Sequence, residues 1–339
     1  MRRPLRLVTP GRLLGAGLIL LAVALALWIV PSNDYIFLPD RAHPVSPLVT
    51  VAGKHEPHDN GGIYFVDVVV RKASLLETLL GGLHDGADIE PPANVLQPGV
   101  TDAQRQALDL REMKMSQQIA AAVALRSAGF KVTAVPTGVL VYDLEPGLPA
   151  VGKLEPTDVI VAVNGKPVRT PGELTAIMHR ERVGAPVSFT VRRGAKTKVV
   201  TIRTVAAAGD SRRAIVGIFV EPAERIHLPI PVSIDSGDIG GPSAGLAFEL
   251  DVLEQLGINV DHGYKVAATG EMFLDGHVGP IGGIKQKTIG AREAGVDAFL
   301  VPAGQYAIEA RKYEDGLRII PVESFRQALH ALATLPPNA

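Results

Sequence analysis

From Leu13 to Ser32 the chain reads LLGAGLILLAVALALWIVPS without a charged side chain, and so long an apolar run predicts a helix able to cross a hydrocarbon layer of roughly 30 Å. Arg2, Arg3, Arg6 and Arg12 precede it and Asp34 and Asp40 follow, an asymmetry that puts residues 1–12 in the cytoplasm and the bulk outside the cell membrane on a single-pass anchor. Removal as a signal peptide, after Ala24 to Ala26, is the other reading of the same run. Beyond it the pattern turns to β-branched and aromatic residues at Gly61 to Arg71, which predicts a strand, and Pro91, Pro92 and Pro98 then interrupt it. At Thr101 the sequence TDAQ has the form of a capping box, and Leu108, Met115, Ile119, Ala122 and Leu125 follow at helical spacing up to Gly129. Met113 and Met115 read as core packing on that helix. Residues 130–205 show short alternating strands, and residues 206–339 alternate strands with helices. The class is α+β: an N-terminal transmembrane helix over 13–32, a segment 33–129 that contributes to a later domain, a β-rich module, and a C-terminal unit of mixed sheets and helices.

With 339 residues and 47% hydrophobic positions, the chain is long enough to bury more than one core. A formal net charge of -1 supplies no field for attracting nucleic acid. The absence of cysteine excludes thiol nucleophiles, thiolate metal sites and disulfides. There is no HExxH pair, and His55 and His58 sit in a polar stretch, so no metal is expected.

Ser243 lies between small residues in GDIGGPSAGLAFELDVLEQLG, with Pro242 suited to the first turn of a helix and Gly257 to its end. Free N–H groups at such a helix start can hold an oxyanion, and Gly240, Gly241, Ala244 and Gly245 leave room for a peptide; a plain capped helix is the alternative. A serine hydroxyl needs a base. None of the nine histidines falls in a triad context, whereas GPIGGIKQKTIGAREAG offers Lys285 and Lys287 at a helix entrance. A lysine serves as a base only when neutral, which requires apolar surroundings such as Ile281, Ile284 and Ile289 to depress its pKa.

Residues 130–204 resemble a PDZ domain in the Gly138-Val139-Leu140-Val141 stretch, the Asp158-Val159-Ile160 strand with its Asn164-Gly165-Lys166 turn, and a helix capped by Thr170 with Glu173. The resemblance implies that Gly138, Val139, Leu140 and Val141 hold a peptide's terminal carboxylate while the peptide adds as a strand; a purely positioning module is the alternative. GPSAG at Gly241 to Gly245, TGE at Thr269 to Glu271 and PIGGIKQK at Pro280 to Lys287 resemble the proteolytic domain of Lon proteases in order and spacing. That resemblance covers about 207–339, and with the anchor and the PDZ-like module it points to the YlbL-like membrane branch, in which the PDZ module interrupts the protease domain. It implies that Ser243 is the nucleophile, Lys287 the general base and Thr269 the hydroxyl orienting the lysine, while Lys285 has no catalytic part. It also implies a homo-oligomer, polypeptide substrates and no cofactor.

Two departures matter. Gly240 stands where ATP-dependent bacterial Lon enzymes carry an aspartate, and no GxxxxGK[ST] loop is present, so ATP-independent endopeptidase activity on unfolded substrates is expected. The rivals are an inert tethered PDZ protein and an α/β-hydrolase-type esterase using Asp297 and His330 behind the G-x-S-x-G sequence.

Overall fold

The computed structural model describes residues 10–52, 61–81, 83–96 and 100–336; His55 and His58 lie outside them. The N-terminal part runs α1 (Pro10–Ile29), β1 (Pro31–Pro39), β2 (His43–Pro44), β3 (Val49–Val51), β4 (Gly62–Phe65), β5 (Val68–Ser74), α2 (Leu75–Leu80), β6 (Asp88–Glu90), α3 (Pro92–Val95) and α4 (Asp102–Ser127). The apolar run ends as a helix at Ile29 rather than continuing to Ser32, because Pro31 already begins a strand. From Leu13 to Ile29 a helix measures about 25 Å, short of the roughly 30 Å hydrocarbon core, and among the described residues no helix is long and apolar enough to cross a membrane. The capping box at Thr101 forms with Gln104, and α4 buries Met113 and the run Ala120 to Leu125.

The single strand expected over Gly61 to Arg71 is two strands, β4 and β5, broken at Val66 and Asp67. β4 runs parallel to a strand of the C-terminal unit, Phe65 beside Ala268, so the N-terminal segment does build the later domain's sheet.

The central module comprises β7 (Thr133–Leu144), β8 (Val159–Val163), β9 (Lys166–Pro167), α5 (Pro171–Met178), β10 (Pro186–Arg193) and β11 (Lys196–Arg203), then the hairpin β12 (Val205–Ala207) with β13 (Asp210–Ile215), and β14 (Ile218–His227). Its sheet has the order β11-β10-β8-β7-β14, with β9 beside β8. β14 therefore belongs to this sheet, not to the catalytic layer where a boundary at 205 placed it. Its own core holds Val139, Val141, Ile160, Phe189 and Ile202.

The C-terminal unit contains β15 (Val232–Ile234), α6 (Gly245–Gln255), β16 (Lys265–Ala268), β17 (Glu271–Met272), β18 (Val278–Gly279), α7 (Ile284–Glu293), β19 (Ala298–Pro302), α8 (Gln305–Ala310) with a following 3-10 turn, β20 (Arg318–Val322) and α9 (Phe325–Ala333). Its main sheet has the order β2-β4-β16-β19-β20, parallel except for β2. Alternation along the strands splits the core. Ile63, Phe65, Val266, Ala268 and Leu300 face α4, α6 and α9, whereas Ala267, Phe299 and Val301 share a core with Ala291 of α7 and Ala307 of α8. Helices thus cover both faces, and α6 and α7 lie on opposite sides of the sheet.

Candidate active site

The carboxyl ends of parallel strands form a natural crevice, because the chain leaves the sheet there towards either face. Thr269 follows the last residue of β16, and Gly270 N–H donates to the Ser243 carbonyl at 2.8 Å, tying the turn before α6 to the sheet end. From the other face, α7 opens at Gly283, whose φ of +66° suits glycine, and presents Lys287 in its first turns. The three residues expected to act together do meet. Lys287 Nζ lies 2.6 Å from Ser243 Oγ and donates to Thr269 Oγ1 at 3.3 Å, while the Thr269 hydroxyl donates to the Ser243 carbonyl at 3.1 Å.

This arrangement aims a lone pair. With its hydroxyl proton committed to a carbonyl, Thr269 offers Lys287 only an acceptor, so one N–H of a neutral amine points there and its lone pair is left for the serine hydroxyl. Lys287 is 4% exposed, and burial pulls its pKa down to about 8 against an opposing pull from the Asp67 carboxylate. Ile289, two residues further round the helix, turns its Cδ1 towards Gly86 and Pro39. Lys285 is engaged elsewhere, donating to Asp88 Oδ1 at 2.7 Å and to the Ala87 carbonyl.

The cleft holding Ser243 and Lys287 has a volume of about 1020 Å³. Its walls come from β5, the first half of α4, the stretch 238–243 and the loop 280–283, and among the described residues no histidine, His330 included, lines it, so the esterase triad expected with Asp297 and His330 is not assembled here. The helix expected from Pro242 starts at Gly245, leaving Pro242 to Ala244 as a turn in front of it. Gly241, expected to leave room for a peptide, lines the cleft, and its N–H donates to the Asp109 carbonyl of α4 at 2.8 Å. The amides of Ser243 and Ala244, which no hydrogen bond among the described residues occupies, remain for an oxyanion. A side chain at Gly240 would run into Asp109, with a Cβ only 2.6 Å from Asp109 Cβ. The glycine thus lets α4 dock on the serine loop, where Ser116 Oγ also donates to the Pro242 carbonyl at 2.9 Å.

The expected peptide contacts at Gly138, Val139, Leu140 and Val141 need correction. β7 is paired on both edges, with β8 through Val139 and Leu140 and with β14 along its whole length, and Val139 and Val141 are fully buried. No incoming strand can add there. Among the described residues the sheet's open edge on this side is β14, which packs beside α5.

Two residues missed in the sequence stand out. Asp67, in the break between β4 and β5, lines the cleft; the lone charge inside the run IYFVDVVV was the available signal. Glu112 of α4 faces Glu271 of the TGE motif at the border with the central module. Burial and the neighbouring Asp109 push Glu112 up to about 7, and burial with Glu112, Glu221 and Asp143 pushes Glu271 up to about 8. Burial raises Glu249 well above its ordinary value, its carboxyl oxygens having no hydrogen-bond partner among the described residues.

Glu112 and Glu271 keep protons that the unfolded chain releases above about pH 4.5. Their contribution to stability is complete below that value and is lost as pH rises through about 7 to 8. The shift of Lys287 acts only above about 8, and Glu77, held low by Arg71, acts only below its ordinary value. The thermal midpoint at pH 5.5 is therefore expected to exceed that at pH 7.5 by at least about 3 °C, a difference that calorimetry at the two values would measure.

Residues 195–334 match the family model of the Lon protease (S16) C-terminal proteolytic domain, and residues 120–204 match that of the PDZ domain. Lon protease 2 of Bacillus subtilis (strain 168) is 32% identical over 170 residues, 49% of this chain and 28% of that protein. The Lon protease of Azorhizobium caulinodans is 33% identical over 189 residues, 53% of this chain and 21% of that one. The mitochondrial Lon protease homolog of Drosophila melanogaster is 41% identical over 85 residues, 25% and 8% of the two chains. The matches span less than a third of the length of these relatives. Among solved structures, the PDZ domain of an SdrC-like protein from Listeria monocytogenes is similar at 25% identity and a TM-score of 0.24, covering 27% of this chain and 93% of that one. The chain carries a Lon-type proteolytic domain and a PDZ domain.

Proposed function

We propose that the protein is a serine endopeptidase in which Ser243 attacks the peptide carbonyl and Lys287 is the general base. The observation that carries this reading is a buried amine of lowered pKa placed 2.6 Å from a hydroxyl, oriented by Thr269. As the Ser243 hydroxyl attacks, its proton passes to the Lys287 lone pair, and the carbonyl oxygen takes up negative charge beside the Ser243 and Ala244 amides. The ammonium then returns the proton to the departing amine, leaving an acyl ester on Ser243. A water molecule, deprotonated by the same amine, releases the new carboxyl end. The sequence carries no nucleotide-binding loop, so the reading is of ATP-independent cleavage of chains that are already unfolded or have a free tail.

In this reading the tail adds to β14, with an apolar side chain against Ile177, Met178, Ile218 and Val220, which border that module's core. A peptide ending in a free carboxylate after an apolar residue is expected to bind at least about tenfold more tightly than its amidated form. Equal affinities in a fluorescence titration would rule out a tail-binding module. Attachment to a membrane is part of the proposal: Leu13, Leu14, Leu18 and Ile19 of α1 are exposed, and so apolar a surface needs cover. Release of the protein into the supernatant by alkaline carbonate would contradict attachment. Assembly as a homo-oligomer rests on the resemblance to Lon relatives, and light scattering tests it.

A further inference from the structure

The site contains an acceptor without a donor. Asp67 Oδ1 is buried and has no hydrogen-bond partner among the described residues, an arrangement that folded chains avoid because the atom has given up water for nothing. Its position follows from register. Phe65 of β4 lies beside Ala268 of β16, so Asp67 leaves the sheet at the same end as Thr269, one strand over. The next residue, Val68, packs against the start of α7, its Cγ2 within 2.6 Å of where a Cβ on Gly283 would stand. Asp67 is thereby held between the two elements that carry the lysine and its threonine partner, on the wall of the same cleft. On its far side His43, stacked on Phe65, brings Nε2 to 3.9 Å from Asp67 Oδ1 and to 3.3 Å from Asp40 Oδ2.

The dyad, in turn, creates a donor without an acceptor. Neutral Lys287 uses one N–H on Thr269 and its lone pair on Ser243. Once it has taken the serine proton, the ammonium has three N–H groups, of which Thr269 and the reacting oxygen or departing nitrogen take two.

We propose that Asp67 is a positioning residue for the reaction, its carboxylate receiving the remaining N–H of Lys287 when the amine becomes an ammonium during acylation. The contact is made at full strength only after proton transfer, so it lowers the barrier and leaves substrate binding alone. The charge of Asp67 already acts on Lys287, opposing the effect of burial, and among the described residues no other carboxylate does so appreciably. The groups facing Asp67 are Asp40, His43 and Lys287. The remaining charges around the cleft are Arg71 and Lys72 on β5, Asp102, Arg105, Asp109 and Glu112 on α4, and Asp238.

The proposal rests on the Ser-Lys reading, and the test separates the two. In the full-length protein Asp67→Asn is expected to lower kcat for a fluorogenic peptide about 10- to 100-fold with KM within about twofold. The acid limb of the kcat/KM profile should move about one pH unit lower, because Lys287 loses the anion that favours its charged form. A limb that stays in place, with Ser243→Ala inactive, overturns the role of Asp67 and leaves the dyad standing. Full activity of Ser243→Ala overturns both. Should Asp67→Asn not fold, the proposal turns on Asp67→Glu: a limb at the parent position with kcat within about tenfold supports it, and a limb displaced as a lost charge would displace it overturns it.

Discussion

Replacing Ser243 or Lys287 by alanine is expected to reduce peptide cleavage by about four orders of magnitude or more, with the thermal midpoint little changed for Ser243→Ala. In the proposed mechanism the serine supplies the bond-forming oxygen and the lysine the base, the one amine within hydrogen-bond reach of that hydroxyl among the described residues, and two groups that act as a unit fail together, so the double variant should be no worse than either single one. Lys287→Ala also removes a buried group with unfavourable desolvation, so its stability should not fall by more than a cavity of that size costs, about 1 to 3 kcal/mol. Lys285→Ala is the internal control. It gives up an ion pair with Asp88 at a cost of up to about 1 kcal/mol, and should keep most of the activity. Activity should fall as pH drops below about 8, because protonation of Lys287 removes the base. A rate that stays level down to pH 6, or inactivation by Lys285→Ala with activity kept in Lys287→Ala, would sink the assignment.

The second large effect concerns a glycine far from any substrate. Gly290 lies on α7 against the chain entering β2, and a Cβ there would stand 1.7 Å from the Asp40 carbonyl oxygen, an atom of the backbone that cannot swing aside. Alanine gains about 1 kcal/mol over glycine in a helix. Overpacking against backbone costs about 3 kcal/mol or more, so the clash wins. Gly290→Ala is expected to destabilise by at least about 2 kcal/mol in a denaturant titration and to lower kcat, since the helix that must shift carries Lys287 a turn earlier. Gly172→Ala on α5, where nothing lies closer than Thr170 Oγ1 at 4.0 Å, should be neutral or stabilising by up to about 1 kcal/mol. Equal stability of the two variants would show that α7 is not seated on the Asp40 carbonyl.

That Ser243, Thr269 and Lys287 come together was readable because they sit in three short motifs, each with a local reason for its residues: small residues around the serine, and a glycine pair that opens the lysine helix. The capping box of α4 and the alternation in the strands were readable for the same reason, being interactions between residues a few positions apart. Other features were not. The strand over Gly61 to Arg71 looked continuous, and its break at Asp67 is imposed by the parallel pairing of β4 with β16, about 200 positions away. The hold on a peptide's carboxylate was assigned to Gly138 to Val141 by resemblance, and nothing nearby in the chain reveals that β14, some 80 residues later, pairs along β7. That the Gly241 N–H is taken by the Asp109 carbonyl of α4 was equally out of local view.

By itself, the order of residues determined which side chains compose the candidate site and which segments form helices and strands, since propensity, capping and apolar period are properties of neighbours along the chain. The tertiary structure alone decided which strand edge stays open, which amide stays free and which carboxylate stands by the lysine. Each of those depends on hydrogen-bond register and close backbone approach between distant segments, and a one-residue slip in register would reverse the face of every side chain without altering any local pattern.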